Sequence, residues 1–175
     1  IGRGLATVEK PCKADMAIIL LGKTGIGKTT FVKSLCVKPE WYHTLSLDVP
    51  EDEYKRVLRS AQFVEIGEMG EPTNRQLQAI KRILSSELIT IRKKGVDEYF
   101  HFPVKAFTIA TIDQPDVLND VAGARRWLPI TANGIKQSNG QILIDSEGIK
   151  RDLMQLYAEA KTLYDKNGVM WCDIQ

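Results

Sequence analysis

The chain has 175 residues, enough for one well-packed domain, and at 43% hydrophobic and 26% charged it has the balance of an ordinary soluble globular protein. Its longest apolar run is far too short to span a bilayer, so no membrane partner is expected. The formal net charge is +2, which excludes a global basic field; nucleic-acid binding, if present, has to come from a local patch.

In chain order, residues 1–14 are polar and irregular and read as a lead-in from an upstream segment, with the domain itself expected over 15–175. Ile1 to Lys10 has no apolar core of a signal peptide. Cys12, Cys36 and Cys172 are odd in number and not in metal-ligand spacing, which predicts free thiols and a reducing, cytoplasmic location. Met16 to Leu21 is an apolar run that suits a buried parallel strand. Next comes Gly22-Lys23-Thr24-Gly25-Ile26-Gly27-Lys28-Thr29-Thr30, which reads G-x-x-x-x-G-K-T, with a helix expected from Thr29 to Cys36. This strand-loop-helix spacing is that of a nucleoside-triphosphate phosphate loop. Its glycines let successive N–H groups face one phosphate chain, and the helix start adds partial positive charge. Lys28 is expected to reach the β- and γ-phosphates and the Thr29 hydroxyl to ligate Mg²⁺, so ATP and Mg²⁺ are the expected cofactors.

Trp41 and Tyr42 are read as core-filling rings beside the nucleotide helix, His43 carries little weight as a ligand, and Thr44 to Leu47 alternates like a short strand. Pro50 suits the first turn of a helix with Tyr54, Val57 and Leu58 on its apolar stripe. Gln62 to Glu68 reads as a buried strand ending in acids. Thr73-Asn74-Arg75-Gln76 is a capping box opening a helix with Leu77, Ile80, Ile83 and Leu84 on one face, ending at Ser85 or Ser86. Leu88 to Arg92 and Tyr99 to Phe102 form a predicted β-hairpin around a turn at 93–97. Val104 to Ile112 is a further buried strand, followed by a loop from Val121 to Arg126 and a strand from Trp127 to Ile130. Asn139-Gly140 marks a turn. The last helix starts at Ser146, is expected to bury Ile149, Leu153, Leu156, Tyr157, Ala160, Leu163 and Tyr164, and stops at Asn167-Gly168. Strands alternating with helices predict one α/β layer structure with a mainly parallel sheet.

A triphosphatase needs an acid near the metal and a group that orients the attacking water. Glu65 and Glu68, on or just past a buried strand, are the candidates, with the metal and water roles left open between them. Asp113 ends the next buried strand, where it either bonds the attacking water or γ-phosphate or simply caps a turn before Gln114-Pro115. Of Arg125 and Arg126, one is expected to set its guanidinium against the γ-phosphate and the other to be structural. Arg92, Lys93 and Lys94 form a compact basic hairpin tip that could track a nucleic-acid backbone.

The order of these parts, from the phosphate loop through EWYHTLSL, FVEIGEM, a helix with Lys81, the basic hairpin, IATID, GARRWLPI and LMQLYAEAKTLY, resembles the virulence-associated E family over about Ala17 to Trp171. Members are primase-helicase-like P-loop ATPases of phages and mobile genetic elements, similar to superfamily 3 helicases within the AAA+ class. The resemblance implies an AAA+-like three-layer sandwich with a β-hairpin insertion. It matches Glu65 and Glu68 to the family's paired acids, and Arg125 and Arg126 to its Arg pair, one of them a finger acting on a neighbouring subunit. It also implies single-stranded DNA as a partner gripped by the hairpin, a homo-oligomeric, hexameric ring, and an upstream primase domain. Asp113 stands where the family usually has Asn, and a carboxylate there repels a γ-phosphate unless Mg²⁺ or Arg compensates. The expectation is therefore a DNA-stimulated ATPase motor. The competing readings are a non-motor nucleotide switch that organises partner proteins and a small-molecule kinase, which would need an Arg-rich lid that the sequence does not show.

Overall fold

The structure is a computed structural model that describes residues 16–46, 48–67, 73–92, 98–113 and 127–167. Five strands form one sheet: β1 (Ala17–Leu21), β2 (Tyr42–Thr44), β3 (Phe63–Ile66), β6 (Phe107–Ile112) and β7 (Trp127–Thr131), in the order β2-β3-β6-β1-β7. Every neighbouring pair is parallel. A parallel sheet has to be covered on both faces, and the alternation along β1 divides its side chains accordingly. Ala17 and Ile19 point to one face, with Ile66, Ala110, Ile112 and Trp127 from neighbouring strands, and meet Ile80 and Leu84 of helix α3 (Asn74–Ser85). Leu20 points to the other face, with Phe63 and Ile109, and meets Val32 of helix α1 (Lys28–Ser34) and Cys36 beyond it. Helix, sheet, helix is the expected three-layer arrangement.

Helix α2 (Glu51–Ser60) follows Pro50 as its cap, buries Tyr54 and Leu58, and shares a second core with Ile83 of α3. Thr73 and Gln76 make the predicted capping box, each satisfying a backbone N–H of the other. The hairpin β4 (Leu88–Arg92) and β5 (Tyr99–Pro103) stands outside the main sheet and is anchored through Ile89 and Val104. Its turn at 93–97, together with Leu47, the Leu77 side chain, the 1–14 lead-in, the loop Val121 to Arg126 and Gly168, lies outside the described residues.

Four expectations are corrected. Helix α1 starts at Lys28 and gives way after Ser34, because Leu35 and Cys36 turn their N–H groups to the carbonyls three residues back, tightening the last turn. Strand β2 runs from Tyr42 to Thr44 rather than from Thr44, since Tyr42 pairs with Phe63, and the Gln62 N–H bonds the Trp41 carbonyl at 2.7 Å. Strand β6 begins at Phe107; Val104 and Ala106 before it are fully buried, but in the core under the hairpin. The Asn139-Gly140 turn joins a small hairpin that periodicity had not shown, β8 (Ile135–Lys136) and β9 (Ile142–Leu143).

Helix α4 (Ser146–Asn167) has the expected bounds but not the expected burial. Ile149, Leu153, Tyr157, Ala160 and Tyr164 make a half-buried stripe, while Leu156 and Leu163 are exposed. The Tyr157 hydroxyl donates to the Leu35 carbonyl at 3.0 Å and accepts from the Gln62 side chain at 2.7 Å, which ties α4 to the end of α1 and to the residue before β3. A helix lying over another helix needs a narrower apolar stripe than one lying on a sheet. None of the described helices is long and apolar enough to cross a membrane.

Candidate functional site

The carboxyl ends of β1, β3 and β6 point to the same edge, the edge where ligands bind in open α/β sheets. The loop Gly22 to Gly27 leaves β1 there. Its shape depends on its glycines. Gly27, immediately before α1, has φ +96°, a left-handed conformation that L side chains rarely adopt. A Cβ on Gly22 would meet the Ala132 carbonyl oxygen at 2.9 Å, so only glycine lets β1 and the end of β7 approach this closely. The Ala132 N–H bonds the Leu21 carbonyl at 2.7 Å, and the Ile144 N–H, just past β9, bonds the Ile26 carbonyl at 2.9 Å. The loop is thus fastened on one side by β7 and the β8–β9 hairpin. Between them lies a cleft of about 600 Å³ lined by Gly22 to Ile26, Asp113, Thr131 to Asn133 and Gln141 to Leu143, within the usual size range of small-molecule sites.

Lys28 is buried although charged. Its ammonium donates to the Gly22 carbonyl at 2.5 Å, the Lys23 carbonyl at 3.1 Å and Asp113 Oδ1 at 2.6 Å. Those three bonds use all its donors. The Thr24 hydroxyl donates to Asp113 Oδ2. The Lys28 hydrogen bond, and then that of Thr24, hold the Asp113 carboxyl below the usual aspartate range.

On the other side, Glu65 points toward α1 and is only 1% exposed. Burial of a carboxylate is tolerated when its lone pairs are satisfied. Thr29 Oγ1 donates to Oε1 at 2.7 Å, Thr111 Oγ1 to the same oxygen at 3.1 Å, and the Tyr42 hydroxyl to Oε2. Burial, and then the bond to Glu65, push the Tyr42 hydroxyl well above its ordinary range.

The structure therefore brings Lys28, Thr29, Glu65 and Asp113 to one place, with the loop residues Lys23, Thr24 and Gly25 exposed around them and Ile26 tucked beneath. Thr30 faces solvent on α1. Glu68, Arg125, Arg126, Lys93 and Lys94 lie outside the described residues. Arg92 is described at the end of β4, its guanidinium 6.0 Å from the Tyr99 ring centroid. Cys36 is a free, buried thiol that burial pushes up to about 11; Cys12 and Cys172 lie outside the described residues.

Two residues of the site escaped sequence reasoning. Tyr42 was read as core filling, and Thr111 as one more residue of an apolar strand. The signal for Thr111 was present: it is a polar residue in phase with Ile109 on the helix α1 face of β6, the face that also carries Glu65 of β3. For Tyr42 the only signal is its register, two pairs away from Glu65 on the neighbouring strand.

The donor set fits Mg²⁺. It consists of hard oxygens, one carboxylate and one hydroxyl, on adjacent elements. No cluster of three or more His, Cys, Asp or Glu is formed among the described residues, and Mg²⁺ ordinarily takes one or two carboxylates and completes its shell with water and substrate phosphates.

Among the solved structures this chain resembles are two of the A form apo NrS-1 C terminal region. One covers 97% of this chain at 20% identity with a TM-score of 0.56, the other 87% at 19% identity with a TM-score of 0.52. At that identity the likeness is one of fold. This chain spans 40% and 37% of the length of those two structures. No curated protein sequence matches. The sequence model of the virulence-associated protein E-like domain matches residues 4–175, nearly the full length, and the chain belongs to that family.

Proposed function

We propose that this domain binds ATP with Mg²⁺ and hydrolyses it, as the motor of a phage or mobile-element replication protein working on single-stranded DNA. One observation carries the reading: a glycine loop leaves β1 with its buried lysine and following threonine set between two strand-end carboxylates. Mg²⁺, when bound, supplies Lewis-acid stabilisation of the phosphate oxygens. Thr29 and Glu65 would hold it, with Glu68 as a further candidate. The chain's own part is to seat the polyphosphate on the loop amides and Lys28, and to keep a carboxylate fixed where water must be oriented.

DNA contact is proposed for the hairpin. Tyr99 and Phe100 of β5 are 58% and 41% exposed, and Arg92 stands beside the Tyr99 ring. Exposed aromatic faces beside cations suit stacked bases and a tracked phosphate backbone. Arg92, Lys93 and Lys94 remain the proposed backbone contacts, and one of Arg125 and Arg126 the proposed group acting across a ring of subunits.

The test is titration of ATP and Mg²⁺ into the chain and into Lys28→Ala, followed by phosphate-release assays with and without single-stranded oligonucleotide. Wild type should bind, turn over, and respond to DNA, while Lys28→Ala should bind at least about 100-fold more weakly. Tight ATP binding with no turnover and no DNA response would favour the nucleotide-switch reading instead. Equal binding by Lys28→Ala would end both.

A further inference from the structure

The Lys28 ammonium has three donors, and all three are engaged. Two go to carbonyls of the loop itself, Gly22 and Lys23, and are fixed by the same backbone that makes the cradle. The third goes to Asp113, whose side chain is 47% exposed while that of Lys28 is 8% exposed. The other Asp113 oxygen accepts from Thr24, inside the loop. A phosphate oxygen arriving at Lys28 therefore has one partner it can displace, and that partner is an anion at the open end of β6.

We propose that Asp113 is the resident anion of this seat, and that it makes the seat select a metal-loaded triphosphate over a metal-free one. The inference rests on the nucleotide-binding reading above. Asp113 cancels the charge of Lys28, and Glu65 beside Thr29 adds a second carboxylate. An incoming polyphosphate thus meets a displaced carboxylate that stays within a few bonds' reach on the end of its strand. Like charges at such range repel strongly where solvent is partly excluded. A divalent cation on the triphosphate removes much of its charge and gives both carboxylates something to face. The neutral amide of Asn at this position would accept a hydrogen bond from Lys28 and donate one to phosphate, without the penalty.

The test is calorimetric titration of the 175-residue chain with ATP, and with inorganic tripolyphosphate, each in excess Mg²⁺ and in EDTA. Wild type, Asp113→Asn and Asp113→Ala are compared, with Lys28→Ala as the control for the seat. Wild type should prefer the metal-loaded ligands by more than about tenfold. Both Asp113 variants should tighten metal-free binding about tenfold and metal-loaded binding by less than about threefold, so that the preference collapses. If wild type and the variants show the same metal preference, or if both variants bind more weakly in EDTA, Asp113 is not the resident anion, although the nucleotide reading stands. If wild type binds neither ligand in either condition and the Asp113 variants bind, Asp113 closes the seat rather than selecting for the metal, and the inference is overturned. If no chain binds either ligand in either condition, the inference and the nucleotide reading fall together.

Discussion

The two sides of the loop hold their carboxylates in opposite ways. On the β3 side, Glu65 is buried and, among the described residues, its carboxylate meets neutral hydroxyls, from Tyr42, Thr29 and Thr111. On the β6 side, Asp113 is half exposed and meets a full positive charge. A buried acid satisfied by uncharged donors on rigid strands cannot leave without stranding those donors. An exposed acid paired to an ammonium can exchange with water or another anion at little cost. The first arrangement suits a fixed post, the second a replaceable occupant, and they flank the same two residues, Lys28 and Thr29.

The contrast is broken most severely at Glu65. Glu65→Ala removes an acceptor shared by three hydroxyls and leaves Thr111, itself buried, without that partner. Unsatisfied buried donors cost about 1–3 kcal/mol each, and Thr29 on the exposed side recovers water, so a loss of about 3 kcal/mol is expected. Urea unfolding of the variant measures it. A loss under about 1 kcal/mol would mean that water already fills the site and that Glu65 is not fixed.

Removing one donor sharpens the same point. Tyr42→Phe keeps the ring in the α1 core and deletes only the hydroxyl, for an expected loss of about 1.5 kcal/mol. The loss has a pH signature. The folded-state hydroxyl is raised above its unfolded value near 10, so its stabilisation is complete below about pH 10 and disappears as pH climbs toward the folded value. The melting difference between wild type and Tyr42→Phe should therefore be constant from pH 7 to 9 and shrink in stronger alkali. A difference that grows instead would show that the hydroxyl is not the donor.

Much of this was legible in the amino-acid sequence, for reasons that differ by element. The loop and β1 were readable because spacing alone encodes them. The α3 cap was readable because Thr73 and Gln76 satisfy each other locally. The β4–β5 hairpin was readable because its alternation and turn are short-range. What escaped depends on contacts far apart in the chain. Tyr42 and Glu65 meet only because β2 and β3 pair in one register, and Thr111 joins them from 46 residues away. The over-counted core of α4 has the same origin: an apolar stripe shows that a face is covered, but not whether by a sheet or by a single helix.

The smallest expected effect lies on the other side. Asp113→Asn deletes a charge that the Lys28 ammonium holds, but the carboxylate is 47% exposed and solvent screens it. The change in unfolding free energy should be less than about 0.5 kcal/mol, and should vanish at high salt. Its pH dependence runs opposite to that of Tyr42. The folded-state carboxyl is lowered, so any stabilisation is present above the unfolded value near 4 and is lost as pH falls through the folded value below it. At neutral pH, wild type and Asp113→Asn should melt together in concentrated salt. A variant that lost as much as Glu65→Ala would make Asp113 a second fixed post, and a residue that rigid could not give way to a phosphate.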